Sequence, residues 1–130
     1  MTNKSKYIKF CDGEKDLPIF LKYWWLDAVC GSEHWDVILV EKGGEIWACM
    51  PYYMIKKYGF RCLVMPILTQ YLGPYVKYPN GQKYYTKISW QIQMMRSLIT
   101  GLPKFDYFCQ SFSSGISNWL PFYWKGFSQS

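Results

Sequence analysis

The first regular pattern along the chain is a helical one. Apolar side chains recur at intervals of three and four residues, which predicts a helix that buries one face. These positions are Leu17, Phe20, Leu21, Trp24, Ala28 and Val29. Pro18 suits a first turn because an amide there has no helical partner to lose, and Gly31 is a typical stop. We therefore expect a helix over residues 17–30, capped by Asp16 or Leu17.

Three runs rich in β-branched and aromatic residues follow, and they predict an antiparallel meander. Residues 37–40 are a continuous apolar run, which is typical of a buried strand. Paired glycines in residues 42–45 predict a hairpin turn into a second strand, residues 46–55. Pro51 has no amide donor, so it indicates an edge or a bulge in that strand. After a short turn, residues 60–65 form the expected third strand.

The later part of the pattern predicts a loop, a helix, a strand and a last short helix. Residues 66–79 lack a regular period and lead into an Asn-Gly turn. The helix then shows an apolar face and ends at Gly101 and Pro103. Its apolar face consists of Tyr84, Ile88, Ile92, Met95 and Ile99. Residues 105–110 are the expected fourth strand, and residues 117–124 the short helix, begun by a serine cap.

This order of elements predicts an α+β (mixed α/β) fold in which helices pack on a sheet. A helical crossover between the third and fourth strands would make those two strands parallel. A chain of 130 residues suits one domain, and it is long enough to bury a core without a metal or a disulfide. The sequence has no linker and no internal repeat, so we expect residues 1–130 to form a single domain.

The net charge and the number of aromatic rings favour a binding function. The net charge is +6, and Tyr, Trp and Phe make up 21% of the residues, more than one small core needs. Many cations fall in two clusters: Lys4, Lys6 and Lys9, and Lys56, Lys57, Arg61, Lys77, Lys83 and Lys87. Such an excess favours an anionic partner, although a solvated surface that aids solubility is the simpler explanation. Some of the rings are expected to line a groove or a partner surface.

Cysteine usage and hydropathy indicate a cytoplasmic protein. The five cysteines are odd in number and lack metal-ligand spacing, which favours a reducing compartment. Residues 1–10 contain charge but no apolar run, so they do not resemble a signal peptide. The longest apolar stretch, residues 17–30, contains Lys22 and Asp27 and is too short to cross a bilayer. We therefore expect no transmembrane segment.

Four strings in the sequence resemble FemAB-like proteins of the GNAT acyltransferase superfamily. The strings run from Trp24 to Val29, from Asp36 to Glu41, from Leu72 to Tyr75 and from Asn118 to Phe127. The resemblance covers essentially the whole chain, and the predicted order of elements matches the GNAT order up to its fifth strand. It implies a GNAT-like domain that usually occurs twice in tandem, and acyl or aminoacyl transfer onto an amine, including amino-acid addition to peptidoglycan precursors.

The resemblance also implies that this chain corresponds to the amino-terminal half of the tandem architecture. A further strand and the second half would be expected after the last residue of the chain. The chain is therefore expected to be an N-acyltransferase-like domain that is incomplete as a catalyst. It would work with a second GNAT-like half or as a homodimer.

The family's coenzyme A site provides a test of the chemistry. GNAT enzymes hold the pyrophosphate with backbone amides of a glycine-rich loop ahead of a helix. The nearest string here is residues 70–75, where Pro74 lacks a donor and Tyr75 is bulky, so we expect no standard coenzyme A site and no other cofactor. The same loop resembles the Arg-Gly-Pro-Val string of FemX-like transferases, with Leu72 in place of the arginine. An ordinary Gly-Pro turn is the alternative.

No catalytic group can be assigned from the sequence. Acyl transfer onto an amine needs a base and donors for the developing oxyanion. His34 is the only histidine and lies in a predicted loop, while Asp27 and Asp106 have no identifiable partner. The sequence also offers no ligand set for a metal.

Aromatic and basic residues are the better candidates for substrate binding. A tyrosine offers a flat apolar face and a hydroxyl, which suits a sugar, a nucleobase or a peptide, and cations hold phosphate. The candidates are Gln70, Tyr71, Gly73 and Tyr75 in the long loop, Tyr52 and Tyr53 in the second strand, Trp119 and Tyr123 near the end, and the cations Lys56, Lys57 and Arg61. Because strand residues alternate between faces, we expect about half of the tyrosines to point into the core.

Two main hypotheses follow for the function. The first is an acyltransferase-like domain that binds an anionic small molecule or a substrate resembling a peptidoglycan precursor. The second is a non-catalytic interaction module whose exposed sheet edge and apolar patch would favour self-association. Nucleic-acid binding is weaker, and DNA is not expected, because the charge is not focused on one helix and no recognition motif is present.

Overall fold

The computed structural model describes residues 2–112, 121–122 and 125–127. Its helices are α1 (Asn3–Gly13), α2 (Tyr23–Cys30) and α3 (Tyr84–Thr100), with a 3-10 turn at Ile19–Leu21. Its strands are β1 (Trp35–Lys42), β2 (Glu45–Lys57), β3 (Phe60–Val64), β4 (Tyr75–Val76) and β5 (Tyr107–Phe108). The fold is α+β with a mixed antiparallel and parallel sheet, and this part of the predicted fold class is confirmed.

The sheet has the order β1-β2-β3-β5, and β4 pairs with β2. The strands β1, β2 and β3 form the predicted antiparallel meander. The hairpin turn between β1 and β2 contains Gly43 and Gly44, whose positive φ angles of 62° and 79° fit a primed turn. The strands β3 and β5 pair in parallel across the connection that contains α3, as the helical crossover predicted.

The neighbour of β2 on the side away from β1 is an interrupted strand. Residues 53–57 of β2 pair with β3, and Ala48 and Cys49 pair with β4, so the chain leaves the sheet between the two strands and returns to it. Pro51 lies in β2 opposite this interruption, where a missing amide donor is tolerated. The sequence predicted that Pro51 lies at an edge or a bulge. In the structure, β2 is central, and its register shift lies elsewhere, opposite the step from Val40 to Glu41.

The helices before the sheet differ from the sequence prediction. Residues 3–13 form α1, which was not predicted; its buried residues are Tyr7 and Cys11, and lysines at positions 4, 6 and 9 interrupt the apolar pattern around them. The expected helix over residues 17–30 is divided by Lys22, whose ψ of 142° is extended. The ammonium group of Lys22 donates to the carbonyls of Cys11 and Glu14, at 3.3 and 3.1 Å. A tertiary contact with the end of α1 therefore interrupts the helical pattern.

The helix α3 was predicted correctly in place, but its buried face differs. Met94, Met95 and Leu98 are fully buried, whereas Tyr84 is 74% exposed. The predicted fourth strand over residues 105–110 is a pair of residues, Tyr107 and Phe108. Most of the predicted helix over residues 117–124 lies outside the described residues.

Two hydrophobic clusters cover the two faces of the sheet. On one face, α1 and α2 bury Tyr7, Leu26, Trp35, Val37 and Cys49 with their neighbours. On the other face, α3 packs its methionines against Ile38, Ala48 and Met50, and Phe122 closes this cluster. Alternate residues of β1 and β2 thus enter opposite clusters, as the period of a strand requires. No helix among the described residues is long and apolar enough to cross a membrane.

Candidate functional site

The Gly-Pro loop that resembles the family string is packed rather than open. Leu72, Gly73 and Pro74 are all buried. The amide of Leu72 donates to the carbonyl of Ser111 at 2.7 Å. Gly73 has a φ of 141°, and a Cβ atom built on it would lie 2.5 Å from Cδ1 of Phe112. The glycine therefore permits close contact with residues 111–112, which gives the loop a packing role.

The other predicted residues of this loop point to different surroundings. Gln70 is exposed, and the ring of Tyr71 meets the ring of Phe20 edge to face, with 4.9 Å between centroids. Tyr75 lies in β4, where its hydroxyl donates to Oε1 of Glu14 at 3.1 Å. The loop therefore does not gather its polar candidates into one site.

The two tyrosines of β2 also separate. Tyr53 packs with the cluster beneath α1 and α2, and Tyr52 packs with the cluster beneath α3. Burial, with a smaller contribution from the carboxylate of Asp36, raises the pKa of Tyr52 to about 12. Adjacent strand residues face opposite sides of a sheet, so these two side chains cannot line one groove.

The predicted cations lie at the β2–β3 turn, away from the loop. Lys56 pairs with Arg61 in the ladder between β2 and β3, next to the turn that joins the two strands. Lys57 is the last residue of β2 and is exposed. The β4 end of the interrupted strand pairs with the opposite half of β2, so these cations are remote from Tyr75. Trp119 and Tyr123 lie outside the described residues.

One cleft of about 520 Å³ gathers ionisable side chains from three elements that are distant in sequence. Its walls are the end of α1, the β1–β2 hairpin and the residue that follows β4. The lining residues are Lys6, Lys9, Phe10, Gly13, Glu14, Glu41, Gly44, Glu45, Ile46 and Lys77. A smaller depression of about 340 Å³ is lined by residues of α3 alone, so it has a wall on one side only.

Glu14 is the most enclosed charge in the cleft. It follows the last residue of α1, and its side chain is 15% exposed. Oε1 accepts the Tyr75 hydroxyl at 3.1 Å, and Oε2 lies 3.4 Å from Nζ of Lys77. Burial and the carboxylate of Glu14 together raise the pKa of Tyr75, so the phenol stays protonated and continues to donate. A carboxylate with two partners still has lone pairs for a further donor.

The rest of the cleft balances positive and negative charge around apolar side chains. Its lining contains three lysines and three glutamates. Lys6 pairs with Glu41 at 3.1 Å, while no ion pair is formed by Lys9 or Glu45 within the described ranges. The ammonium of Lys77 also lies 5.8 Å from the ring centroid of Phe10. A ligand with both an ammonium and an anionic group would find complementary charges here.

The acidic residues considered from the sequence have structural partners instead. Oδ1 of Asp27 accepts the indole N–H of Trp35 at 2.8 Å, and Oδ2 of Asp106 accepts the backbone N–H of Arg61 at 2.8 Å. No group of three or more potential metal ligands occurs in the part of the chain that the structure describes. Among the three carboxylates that line the cleft, Glu14 is the most buried.

Sequence reasoning missed the cleft because it missed α1. Without that helix, Phe10 and Glu14 had no position relative to the sheet. Lys77 was noted as one cation of a cluster, and Tyr75 as a groove residue, but no local pattern connects them with residue 14. A signal was present in the spacing of Tyr7 and Cys11, which lie on one face of a helix at i and i+4.

Comparison with known proteins gives no match for this chain among family models, curated proteins or solved structures.

Proposed function

We propose that this chain is a GNAT-like, FemAB-like acyl-transfer domain that binds a transfer substrate and requires a second half or a partner chain for turnover. The observation that carries the proposal is the topology: an antiparallel meander, a helical crossover and a strand parallel to the last meander strand. The sequence strings that resemble the family support it independently.

The chemistry of the cleft suits one part of such a reaction, the binding of an amine acceptor. An acyl acceptor must present its amine to a group that can take a proton. The Glu14 carboxylate is enclosed, fixed by Tyr75 and Lys77, and retains acceptor capacity. The free lysine at position 9 would meet an anionic group of the same substrate, such as a carboxylate or a phosphate.

The proposal also assigns the protein to a reducing compartment, namely the cytoplasm. All five cysteines are free, and three of them are buried. Burial raises the pKa of Cys11 and Cys49, so these thiols stay protonated and inert as nucleophiles. Free buried thiols are the ordinary condition of proteins in reducing compartments.

Calorimetry tests the proposal directly. The chain would be titrated with acetyl coenzyme A and, separately, with a nucleotide-linked peptidoglycan precursor, and turnover would be assayed in parallel. We expect heat of binding for at least one of the two and no turnover by the chain alone. Turnover by the isolated chain would refute the half-domain proposal, and the absence of binding to both compounds would refute the transfer function.

A matched pair of variants locates the binding. Glu14→Gln removes one charge inside the cleft, and Glu33→Gln removes the same charge at an exposed position outside it. Loss of a charge-assisted hydrogen bond corresponds to about a tenfold or greater loss of affinity. We expect that loss for the first variant alone. Equal affinities of the two variants would exclude the cleft as the acceptor site.

A non-catalytic interaction module is the second candidate, and exposed apolar side chains favour it. Ile67 and Leu68 are 70% and 80% exposed in the loop between β3 and β4, and Tyr107 is 56% exposed in β5. Light scattering over a wide concentration range tests this candidate. A rise in mass with concentration would support self-association, and a constant monomer mass would count against it.

A further inference from the structure

The β2–β3 hairpin ends in a tip where exposed rings and cations lie together. We call residues 56–61 the hairpin tip; it consists of Lys56, Lys57, Tyr58, Gly59, Phe60 and Arg61. Tyr58 is 89% exposed and Phe60 is 58% exposed. Neither ring belongs to either hydrophobic cluster of the described residues. The ammonium of Lys57 lies 5.8 Å from the ring centroid of Tyr58, a contact within the tip itself. The tip therefore presents two large rings to its surroundings, and packing in the core does not explain them.

The backbone of the turn is equally unsuited to a tyrosine. Tyr58 has a φ of 53° and Gly59 a φ of 82°. Positive φ at both central residues is the requirement of a type I′ turn, which favours Asn, Asp or Gly. A bulky side chain in the left-handed region is disfavoured. Such an outlier on a protruding turn motivates a functional hypothesis, since neither core packing nor turn preference accounts for the ring.

The cations of the tip add an electrostatic component. Lys56 and Arg61 are opposite each other in the ladder, and Lys57 is opposite Phe60, so positive charge occurs on both faces of the hairpin. The tip contains no carboxylate. Neither of the two ion pairs found among the described residues involves a tip cation. The nearby carboxylate of Asp106 accepts a backbone N–H of the tip at 2.8 Å.

We infer that the hairpin tip docks on the anionic surface of a lipid bilayer. Tyrosine and other amphipathic rings are enriched in the headgroup layer, where one side of the ring is apolar and the hydroxyl remains wet. Lysine and arginine next to the rings are attracted to anionic lipids of the cytoplasmic leaflet. A single weak signal gives only marginal attachment, and the tip combines two, ring insertion and charge. This inference goes beyond the proposed transfer function and does not depend on it.

The shape of the tip favours a membrane over a nucleic acid. Single-stranded nucleic acids bind along a positively charged groove in which successive bases stack on rings. The tip is the end of a two-stranded hairpin, and its three cations occupy two successive ladder positions, which extend over about 7 Å at the usual strand rise. A convex end of that size fits between lipid headgroups, but it offers no track for several nucleotides.

Co-sedimentation of the full chain with lipid vesicles tests the inference. Vesicles of phosphatidylcholine would be compared with vesicles that contain about 30% phosphatidylserine, a composition with a strong negative surface potential. We expect binding to the anionic vesicles, little binding to the neutral ones, and release at about 1 M salt, where the Debye length is about 3 Å. Absence of binding to anionic vesicles at low salt would overturn the inference.

Substitutions within the tip separate membrane contact from folding. Tyr58→Asn places a preferred residue in the turn, so thermal stability should be equal or higher while vesicle affinity falls. Loss of about half of a ring's transfer free energy corresponds to roughly a tenfold drop in affinity. The double variant Lys56→Gln/Lys57→Gln should lower affinity about 25-fold, at about fivefold for each charge near the surface.

Matched controls come from the start of α3. Tyr85 is 83% exposed, and Lys83 and Lys87 are exposed close to it. Tyr85→Asn and Lys83→Gln/Lys87→Gln make the same chemical changes away from the tip. Tyr85→Asn should change vesicle affinity by no more than about twofold. The Lys83→Gln/Lys87→Gln variant should lose less affinity than the double lysine variant of the tip. Equal losses in both sets would show attraction to net charge alone and overturn the inference. Tighter binding to a single-stranded RNA that Tyr58→Asn weakens would overturn it in favour of a nucleic-acid surface.

Discussion

Removal of the Tyr75 hydroxyl tests whether the cleft is a fixed site or a chance meeting of surface charges. Tyr75→Phe keeps the ring, which contacts Phe10 at 6.3 Å between centroids, and deletes only the donor to Glu14 at 3.1 Å. A hydrogen bond to a charged group stabilises by about 1.5–3 kcal/mol. Because Tyr75 is partly exposed, the lower end of this range applies, so we expect the free energy of unfolding to fall by about 1.5 kcal/mol. That loss corresponds to a decrease of roughly 6 °C in Tm.

Urea unfolding at neutral pH, followed by circular dichroism, measures this loss. Glu14→Gln completes a double-mutant cycle, because it removes the negative charge of the group that accepts the hydrogen bond from Tyr75. We expect a coupling free energy of about 1 kcal/mol between positions 14 and 75. The hydroxyl of Tyr85, in a side chain that is 83% exposed, provides the control, and Tyr85→Phe should leave stability unchanged. A loss below about 0.3 kcal/mol for Tyr75→Phe, or no coupling, would refute the description of Glu14 as a fixed carboxylate.

Three further predictions concern the loop and the thiols. Gly73→Ala should destabilise the protein by at least about 2 kcal/mol in urea unfolding, because its φ is 141° and the new Cβ would meet the ring of Phe112. Burial and, secondarily, the carboxylate of Asp27 raise the pKa of Cys30 from 9.0 to about 11. Between these pH values the folded state retains a proton that the unfolded state loses, so the free energy of unfolding should fall as the pH rises through this range. Unfolding curves at several pH values check this, and Cys30→Ala should flatten that part of the profile. A thiol reagent at pH 8 should label the exposed Cys109 much faster than Cys30, and equal rates would contradict the burial.

Local patterns were sufficient for the elements whose own residues determine them. The β1–β2 turn has two glycines in the left-handed region, as its paired glycines predicted. The helix α3 begins at Tyr84 and ends next to Gly101. It was predictable because its hydrophobic periodicity and its stop residues are local features of the sequence. The parallel pairing of β3 and β5 followed from the helix between them, since a crossover returns the chain in the same direction.

The candidate site was much less accessible from the sequence. None of the residues that line the cleft is among the predicted substrate-binding residues. Tyr75 was predicted to lie in a groove of rings. In the structure, the hydroxyl of Tyr75 instead donates to the carboxylate of Glu14, which lies 61 residues earlier in the chain. Gly73 was chosen because of a family-like string, and it proves to be a packing residue against Phe112. Pairwise contacts over such separations leave no periodic trace in a single sequence.

What the sequence determined by itself is the set of local conformations: where strands run, where glycines allow a turn and where a helix stops. These depend on backbone preferences and on hydrophobic period, which are properties of neighbouring residues. Only the tertiary structure decided that Lys22 would divide the predicted helix, since its ammonium group is held by carbonyls at the end of α1. Only the tertiary structure also placed Glu14 between Tyr75 and Lys77. The physical reason is that a charge finds its partner through the packing of whole elements on the sheet, and no local preference specifies that packing.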